Sequence, residues 1–193
     1  MAILQGRIEG LLDGVYPRDE SHFEELLEEP RHLSRLVEDL GTLAHAEAGA
    51  LELRKELTDL GDLVRDVAAA LPRPIAVEVP ADLPAVEVDP VRIRQVLLNL
   101  LANALRHTPA ENDISVQVQM QPQQILIRVR DSGSGIAPEE LPRIFERFQK
   151  GSDSRGSGLG LAIARKLVLA HGGDVGIESA QGKGTVVTVS LPR

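Results

Sequence analysis

"DPVRIRQVLLNLLANALRHTP", residues 89–109, is the stretch around which the rest of the chain can be organised. Asp89 is a good helix N-cap, Pro90 suits the first helical position, and Pro109 cannot continue a helix, so the spacing predicts one helix between them. Asn99 and Asn103 are four residues apart and share one face of that helix. Their neighbours are apolar, and Arg106 and His107 extend the polar stripe. Buried carboxamides must be hydrogen-bonded. The stripe is therefore either a satisfied polar seam in a core or the wall of a ligand site, and the helix alone leaves both readings open.

On either side the period changes from helix to strand. "PIAVEVP" (74–80) and "AVEVD" (85–89) alternate with period two. "DISVQVQMQ" (113–121) and "QILIRVRD" (124–131) alternate likewise around "PQ" and read as an antiparallel hairpin. "LGLAIARKLVLAHGG" (159–173) reads as a helix ending in two glycines, and "DVGIES" with "GTVVTVSLP", joined by "AQGK", makes a last hairpin. Residues 132–157 are Gly/Ser-rich, with a short helical piece near "EELPRIFERF". Phe145 and Phe148 in that piece read as packing residues. Hairpins separated by helices predict an α+β fold, a two-layer α/β sandwich with helices on one face of a mixed sheet.

Residues 1–50 read differently. Ile3, Leu4, Ile8, Leu11, Leu12 and Val15 recur at helical spacing, "YPRDE" interrupts, and a second run carries Phe23, Leu26, Leu27, Leu33, Leu36, Val37, Leu40, Leu43 and Ala44. "EAGA" (47–50) supplies a glycine stop, and Pro30 predicts a kink or a helix start. Two such helices form a hairpin whose apolar stripes a second copy would cover in a four-helix bundle. The organisation expected is a helical hairpin over 1–50, a linker over 51–72 and a sandwich domain over 73–193.

Composition narrows the function classes. The 193 residues are 42% apolar but only 2% aromatic, so Leu, Val, Ile and Ala must build the core. A net charge of −8 argues against a nucleic-acid backbone as the main partner, because counterion release needs a basic face. With no cysteine there is no disulfide framework and no thiolate metal site. No apolar run approaches the roughly 20 residues of a membrane helix, and the N-terminus lacks a signal-peptide pattern. The expectation is a chain outside the membrane, in the cytoplasm, even where its parent is anchored.

Three glycine-rich stretches join the asparagine helix: "DSGSGI" (131–136) at a strand end, "GSGLGL" (156–161) opening a helix, and "GKGT" (182–185) turning a hairpin. A glycine-rich turn feeding a helix N-terminus favours anions, so the second is a candidate phosphate cradle. It is neither a P-loop, lacking Gly-Lys-Ser/Thr, nor a Rossmann fingerprint, since its glycines follow a loop. Any one stretch could be an ordinary turn.

Taken in order, Asn-x-x-x-Asn, Asp-x-Gly-x-Gly-Ile, "RIFERF", Gly-x-Gly-Leu-Gly-Leu and Gly-x-Gly-Thr resemble the catalytic and ATP-binding domain of bacterial sensor histidine kinases. These belong with the gyrase, mismatch-repair and chaperone ATPases, whose ATP-binding fold is the Bergerat type. The resemblance covers roughly residues 60–193, and "HLSRLVEDLGTLAHAEAG" is similar to the second helix of the kinases' dimerisation and phosphotransfer hairpin. It implies that Asn103 holds Mg²⁺ and that Asn99 lies beside the phosphates, where the ATPases place a glutamate that activates water. It further implies Arg106 at a phosphate, His107 against the adenine and Asp131 accepting from the adenine amino group. Gly133, Gly135 and Ile136 would shape the adenine floor. Lys150 and Arg155 would lie in a lid. Gly158, Leu159, Gly160 and Leu161 would offer N–H groups to the phosphates, with Thr185 capping the site. The implied activity is transfer of the ATP γ-phosphoryl group to a histidine, for relay to a response-regulator receiver domain, by a homodimer paired through its N-terminal helices.

In those kinases the acceptor histidine lies in a His-Glu-x-x-x-Pro-Leu stretch, which here would precede residue 1, with Met1 in place of its leucine. His22, His32, His45 and His171 stand in no such context. The expectation is a chain that binds ATP without phosphorylating itself. Two other classes remain: a nucleotide-binding regulatory module without kinase activity, and a gyrase-type ATPase, which Asn99 disfavours because an amide cannot take a proton from water. A purely structural dimeriser would bind no nucleotide.

Overall fold

The computed structural model describes residues 6, 9, 10, 13–15, 17, 19–149 and 157–193, without the side chains of residues 20, 21, 24, 25, 28, 29 and 32. The chain divides into two compact units, Met1–Thr42 and Leu43–Arg193. Most of the first expected helix, including Ile3, Leu4, Ile8, Leu11 and Leu12, lies outside the described residues.

Helix α1 (Glu20–Glu47) runs continuously through Pro30, so the helix does not start there as the sequence allowed. It ends as expected in a turn with Gly49 at φ 65°. Much of its apolar stripe is exposed: Phe23, Leu27, Leu33, Val37 and Leu40 are between 41% and 69% exposed, whereas Leu43 is buried.

In the second unit, β1 (Glu56–Thr58) is followed by α2 (Leu60–Ala69), β2 (Ala76–Glu78), β3 (Val86–Val88) and α3 (Pro90–His107). Then come β4 (Ile114–Met120), β5 (Gln124–Asp131), a 3₁₀ turn at Leu141–Arg143, α4 (Gly160–Ala170), β6 (Asp174–Ser179) and β7 (Thr185–Pro192). The main sheet has the order β2-β4-β5-β7-β6. β2 pairs parallel to β4, and the other neighbours are antiparallel. The mixed two-layer sandwich is thus present. The alternation read in the sequence is the burial pattern: Val116, Val118, Ile125, Ile127, Val129, Val187, Val189 and Leu191 are buried from the strands. Ile93, Leu97, Leu100 and Leu101 of α3 and Ile163, Leu167 and Val168 of α4 supply the helical layer.

Residues 51–72 are not the bare linker that the sequence suggested. They carry β1, which pairs antiparallel with β3, and α2, whose Leu60, Leu63, Val64 and Val67 are buried. Asp59 caps α2 by accepting from the Asp62 N–H at 2.9 Å. The apolar spacing of α2 buries one face, which makes this segment part of the sandwich rather than a spacer.

α3 starts where the sequence placed it, with Asp89 Oδ1 accepting from the Arg92 N–H at 3.0 Å. Asp89 also accepts from the Arg54 N–H at 2.9 Å, and its own N–H donates to Nε2 of buried His171 at 3.1 Å. His171 ends α4, so α3 and α4 lie antiparallel. This brings the C-terminal half of α3 and the N-terminus of α4 to the opposite end of the layer.

Candidate functional site

That opposite end gathers four elements. α3 supplies Asn99, Asn103, Arg106 and His107 from successive turns. Asn99 faces the start of α4: a Cβ built on Gly160 would stand 3.6 Å from Asn99 Cγ. Among the described residues the buried Asn99 Nδ2 atom has no hydrogen-bond partner, and a buried donor left unpaired is costly. Asn103 is half-buried one turn later, and Arg106 is exposed. Leu159 is fully buried and is the N-cap of α4, without a side-chain cap bond. Its own N–H reaches Ser157 Oγ at 3.3 Å. The N–H groups of the first turn, from Gly160 and Leu161 onward, have no intrahelical partners and form an anion-attracting terminus. Gly158, just before, accepts from the Phe148 N–H at 2.9 Å.

The strand ends form the other wall. Asp131 closes β5 and is cross-strand partner to Thr185 at the start of β7. Both are buried. Asp131 Oδ1 accepts from the Gly133 N–H at 2.9 Å. Burial pushes the Asp131 carboxyl above the ordinary aspartate range, against the lowering effect of the Gly133 and Thr185 N–H groups and of His107. His107 is pushed the other way, below the ordinary histidine value, by burial and by the Arg106 charge, with Asp131 opposing. Burial thus disfavours the charged form of the His107 ring.

Turn "DSGSGI" is locked onto this wall by close approach. Ser134 N–H donates to the His107 carbonyl at 3.2 Å, and a Cβ at Gly133 would collide with that same carbonyl. Gly135 has φ 65°, and a Cβ there would strike the Ala180 carbonyl. Ile136 follows, its N–H bonded to Ser179 Oγ at 2.9 Å. A backbone floor and two strand-end side chains thus lie side by side at this wall.

The structure accordingly brings together His107, Asp131, Gly133, Gly135, Ile136 and Thr185 at one wall, and Asn99, Leu159 and Gly160 at the other. Asn103 and Arg106 follow Asn99 along α3. Lys150 and Arg155 lie outside the described residues. Phe145 packs as read, half-buried with the Arg165 guanidinium 5.3 Å above its ring. Phe148 does not: it is 62% exposed and its φ is 58°. Sequence reasoning missed Ser179, whose hydroxyl lies 2.9 Å from both the Gly184 carbonyl and Thr185 Oγ1. A serine flanking a turn carries no local signal for such a bond.

Comparison with known proteins agrees with this fold. The family described as "Histidine kinase-, DNA gyrase B-, and HSP90-like ATPase" matches residues 88–193. The adaptive-response sensory kinase SasA of Synechococcus sp. (strain JA-3-3Ab) is 36% identical over 199 residues, covering 97% of this chain and 52% of its own length. Sensor histidine kinase CusS of Escherichia coli (strain K12) is 38% identical over 176 residues, covering 86% of this chain and 36% of its own length. The chain therefore spans between about a third and about half of these curated relatives. Among solved structures, Acinetobacter baumannii histidine kinase AdeS superposes with a TM-score of 0.81 at 32% identity, covering 99% of this chain and 93% of that one. Full-length ShkA in complex with AMPPNP gives 0.80 at 32% identity, covering 92% and 39%.

Proposed function

Because the chain belongs to the histidine kinase-, DNA gyrase B- and HSP90-like ATPase family, in its histidine kinase branch, we propose that it is the ATP-binding catalytic core of a sensor histidine kinase. The observation that carries this reading is the pairing of unfinished polarity at two walls. Asn99 Nδ2 is buried against the α4 N-terminus and has no partner among the described residues. Asp131 is a buried carboxyl beside a backbone floor. The first suits a triphosphate and the second a base with an amino group. Arg106 and the α4 N–H groups neutralise phosphate charge, and His107 lines the adenine. Phosphoryl transfer requires mainly positioning and charge neutralisation, which this set supplies.

A Mg²⁺ ion fits the donor set. Among the described residues no group of three or more His, Cys, Asp or Glu could hold a metal by itself. The amide oxygen of Asn103 suits a hard cation that keeps its waters and takes phosphate oxygens. When bound, the ion would neutralise charge on the phosphates. Asn99 cannot act as a base, so water attack is not assisted and the γ-phosphoryl group is held for a histidine nitrogen. In the transfer, the N–P bond forms as the bond from Pγ to the β,γ-bridging oxygen breaks, and ADP leaves. The exposed apolar residues of α1 support homodimerisation, and relay would pass to a receiver-domain aspartate.

The test is incubation with γ-labelled Mg-ATP and a supplied hairpin carrying the acceptor histidine of a sensor kinase. Label that is stable to base and lost in acid is expected on the hairpin, and not on this chain. Nucleotide binding without transfer would instead indicate a regulatory module, and steady phosphate release a gyrase-type ATPase.

A further inference from the structure

We propose that Ser179 is a positioning residue that sets nucleobase selectivity, an inference that rests on the nucleotide reading above. Ser179, Thr185 and Asp131 lie side by side across β6, β7 and β5, because Ser179 pairs with Thr185 and Thr185 with Asp131. The Ser179 hydroxyl accepts from the Ile136 N–H at 2.9 Å. It stands 2.9 Å from the Gly184 carbonyl and 2.9 Å from the Thr185 hydroxyl. A serine hydroxyl has one proton and two lone pairs. Donating to Gly184 while accepting from Ile136 and Thr185 uses all three.

The three bonds join segments far apart in sequence. Ile136 belongs to the floor turn, 43 residues away. Gly184 and Thr185 belong to the hairpin turn, five and six residues away. Gly184 in turn packs on the backbone of Asp131, since a Cβ there would strike the Asp131 carbonyl. One hydroxyl thus sets the distance between the floor of the base pocket and the strand end that holds its carboxylate. Removing it leaves the Ile136 N–H without its acceptor and the Thr185 hydroxyl free to rotate. Recognition of one exocyclic group depends on sub-ångström placement of the recognising atom. Ser179 touches no substrate in this scheme and acts through Asp131, Thr185 and Ile136.

The test titrates wild type, Ser179→Ala and Ser179→Thr calorimetrically with ATP and with inosine triphosphate, which carries a keto group in place of the amino group on the same triphosphate. Wild type prefers ATP. Ser179→Ala is expected to reduce that preference about fivefold, the size of one lost hydrogen bond, through weaker ATP binding alone. Ser179→Thr, which keeps the hydroxyl, restores it. A purely structural role would weaken both nucleotides alike and leave their ratio unchanged. That result, or an unaltered preference in Ser179→Ala, overturns the proposal. If circular dichroism shows Ser179→Ala unfolded, Ser179→Cys, similar in size with a weaker donor, decides by the same criterion. Failure of wild type to bind ATP, or to prefer it, overturns the nucleotide reading itself and this inference with it.

Discussion

The two ends of the α3–α4 pair are built from similar residue types and finished differently. At the far end Asp89 is fully engaged: two backbone N–H groups donate to its carboxylate, and its own N–H donates to His171 Nε2. His171 Nδ1 lies 2.7 Å from the Leu167 carbonyl, so the ring is held with Nδ1 protonated and Nε2 accepting. At the near end the buried side-chain atoms Asn99 Nδ2 and Thr108 Oγ1 have no partner among the described residues, and the buried carboxyl of Asp131 is pushed up. Both ends desolvate polar groups. The far end compensates within the chain, whereas at the near end two side-chain atoms find no partner among the described residues. Buried polarity without a partner is costly, and its concentration beside the glycine turns marks the site more sharply than any single motif.

The largest effect that tests this contrast lies at the far end. His171→Ala removes the acceptor of the Asp89 N–H and opens a small cavity, and should lower unfolding stability by about 3 kcal/mol. Nucleotide affinity of the folded variant should be unchanged. The wild-type histidine is pushed below its ordinary value by burial. The unfolded state therefore binds its proton first, and stability falls as pH drops through the ordinary histidine value towards the lower folded one. That part of the slope should vanish in His171→Ala. Urea unfolding at several pH values measures both quantities. Equal weakening of ATP binding would show that the two ends are not separable.

At the near end the sign reverses. Asp131→Asn keeps an oxygen for the Gly133 N–H but removes the charge, and should weaken ATP binding about 30-fold, or about 2 kcal/mol for a bond to a charged acceptor. Its unliganded stability at pH 7 should be equal or higher, because a carboxyl whose folded value is raised costs stability when ionised. Wild-type ATP preference should also fall on acidification at a pH above the ordinary aspartate range, as Asp131 takes its proton. Paired thermal melts and titrations check both, and a destabilised Asp131→Asn would break the contrast.

How much of this was legible depended on how local the signals were. α3 could be bounded closely because Asp89, Pro90 and Pro109 act within one turn of where they stand. The β4–β5 and β6–β7 hairpins were legible because alternation and turn residues are neighbours in sequence. β1 was not: Glu56–Thr58 is short, mostly exposed and paired with β3, a partner about 30 residues on. α2 had its cap and its stripe, but the case for a domain element rested on what it packs against. In the site, Asp131 and the glycines announce themselves by type and order. Ser179 does not, since its first partner is 43 residues away. Arrangements that depend on long-range closure are the ones a single sequence conceals.

The most direct measurement is a calorimetric titration of the chain with ATP, with and without Mg²⁺, beside Asn103→Ala. Binding strengthened by Mg²⁺ in wild type, with roughly tenfold weaker Mg-ATP binding and no Mg²⁺ dependence in Asn103→Ala, is the result expected of a single amide ligand to a phosphate-bound ion. Absence of binding, or identical Mg²⁺ dependence in the variant, would contradict the placement of the nucleotide between α3 and the start of α4.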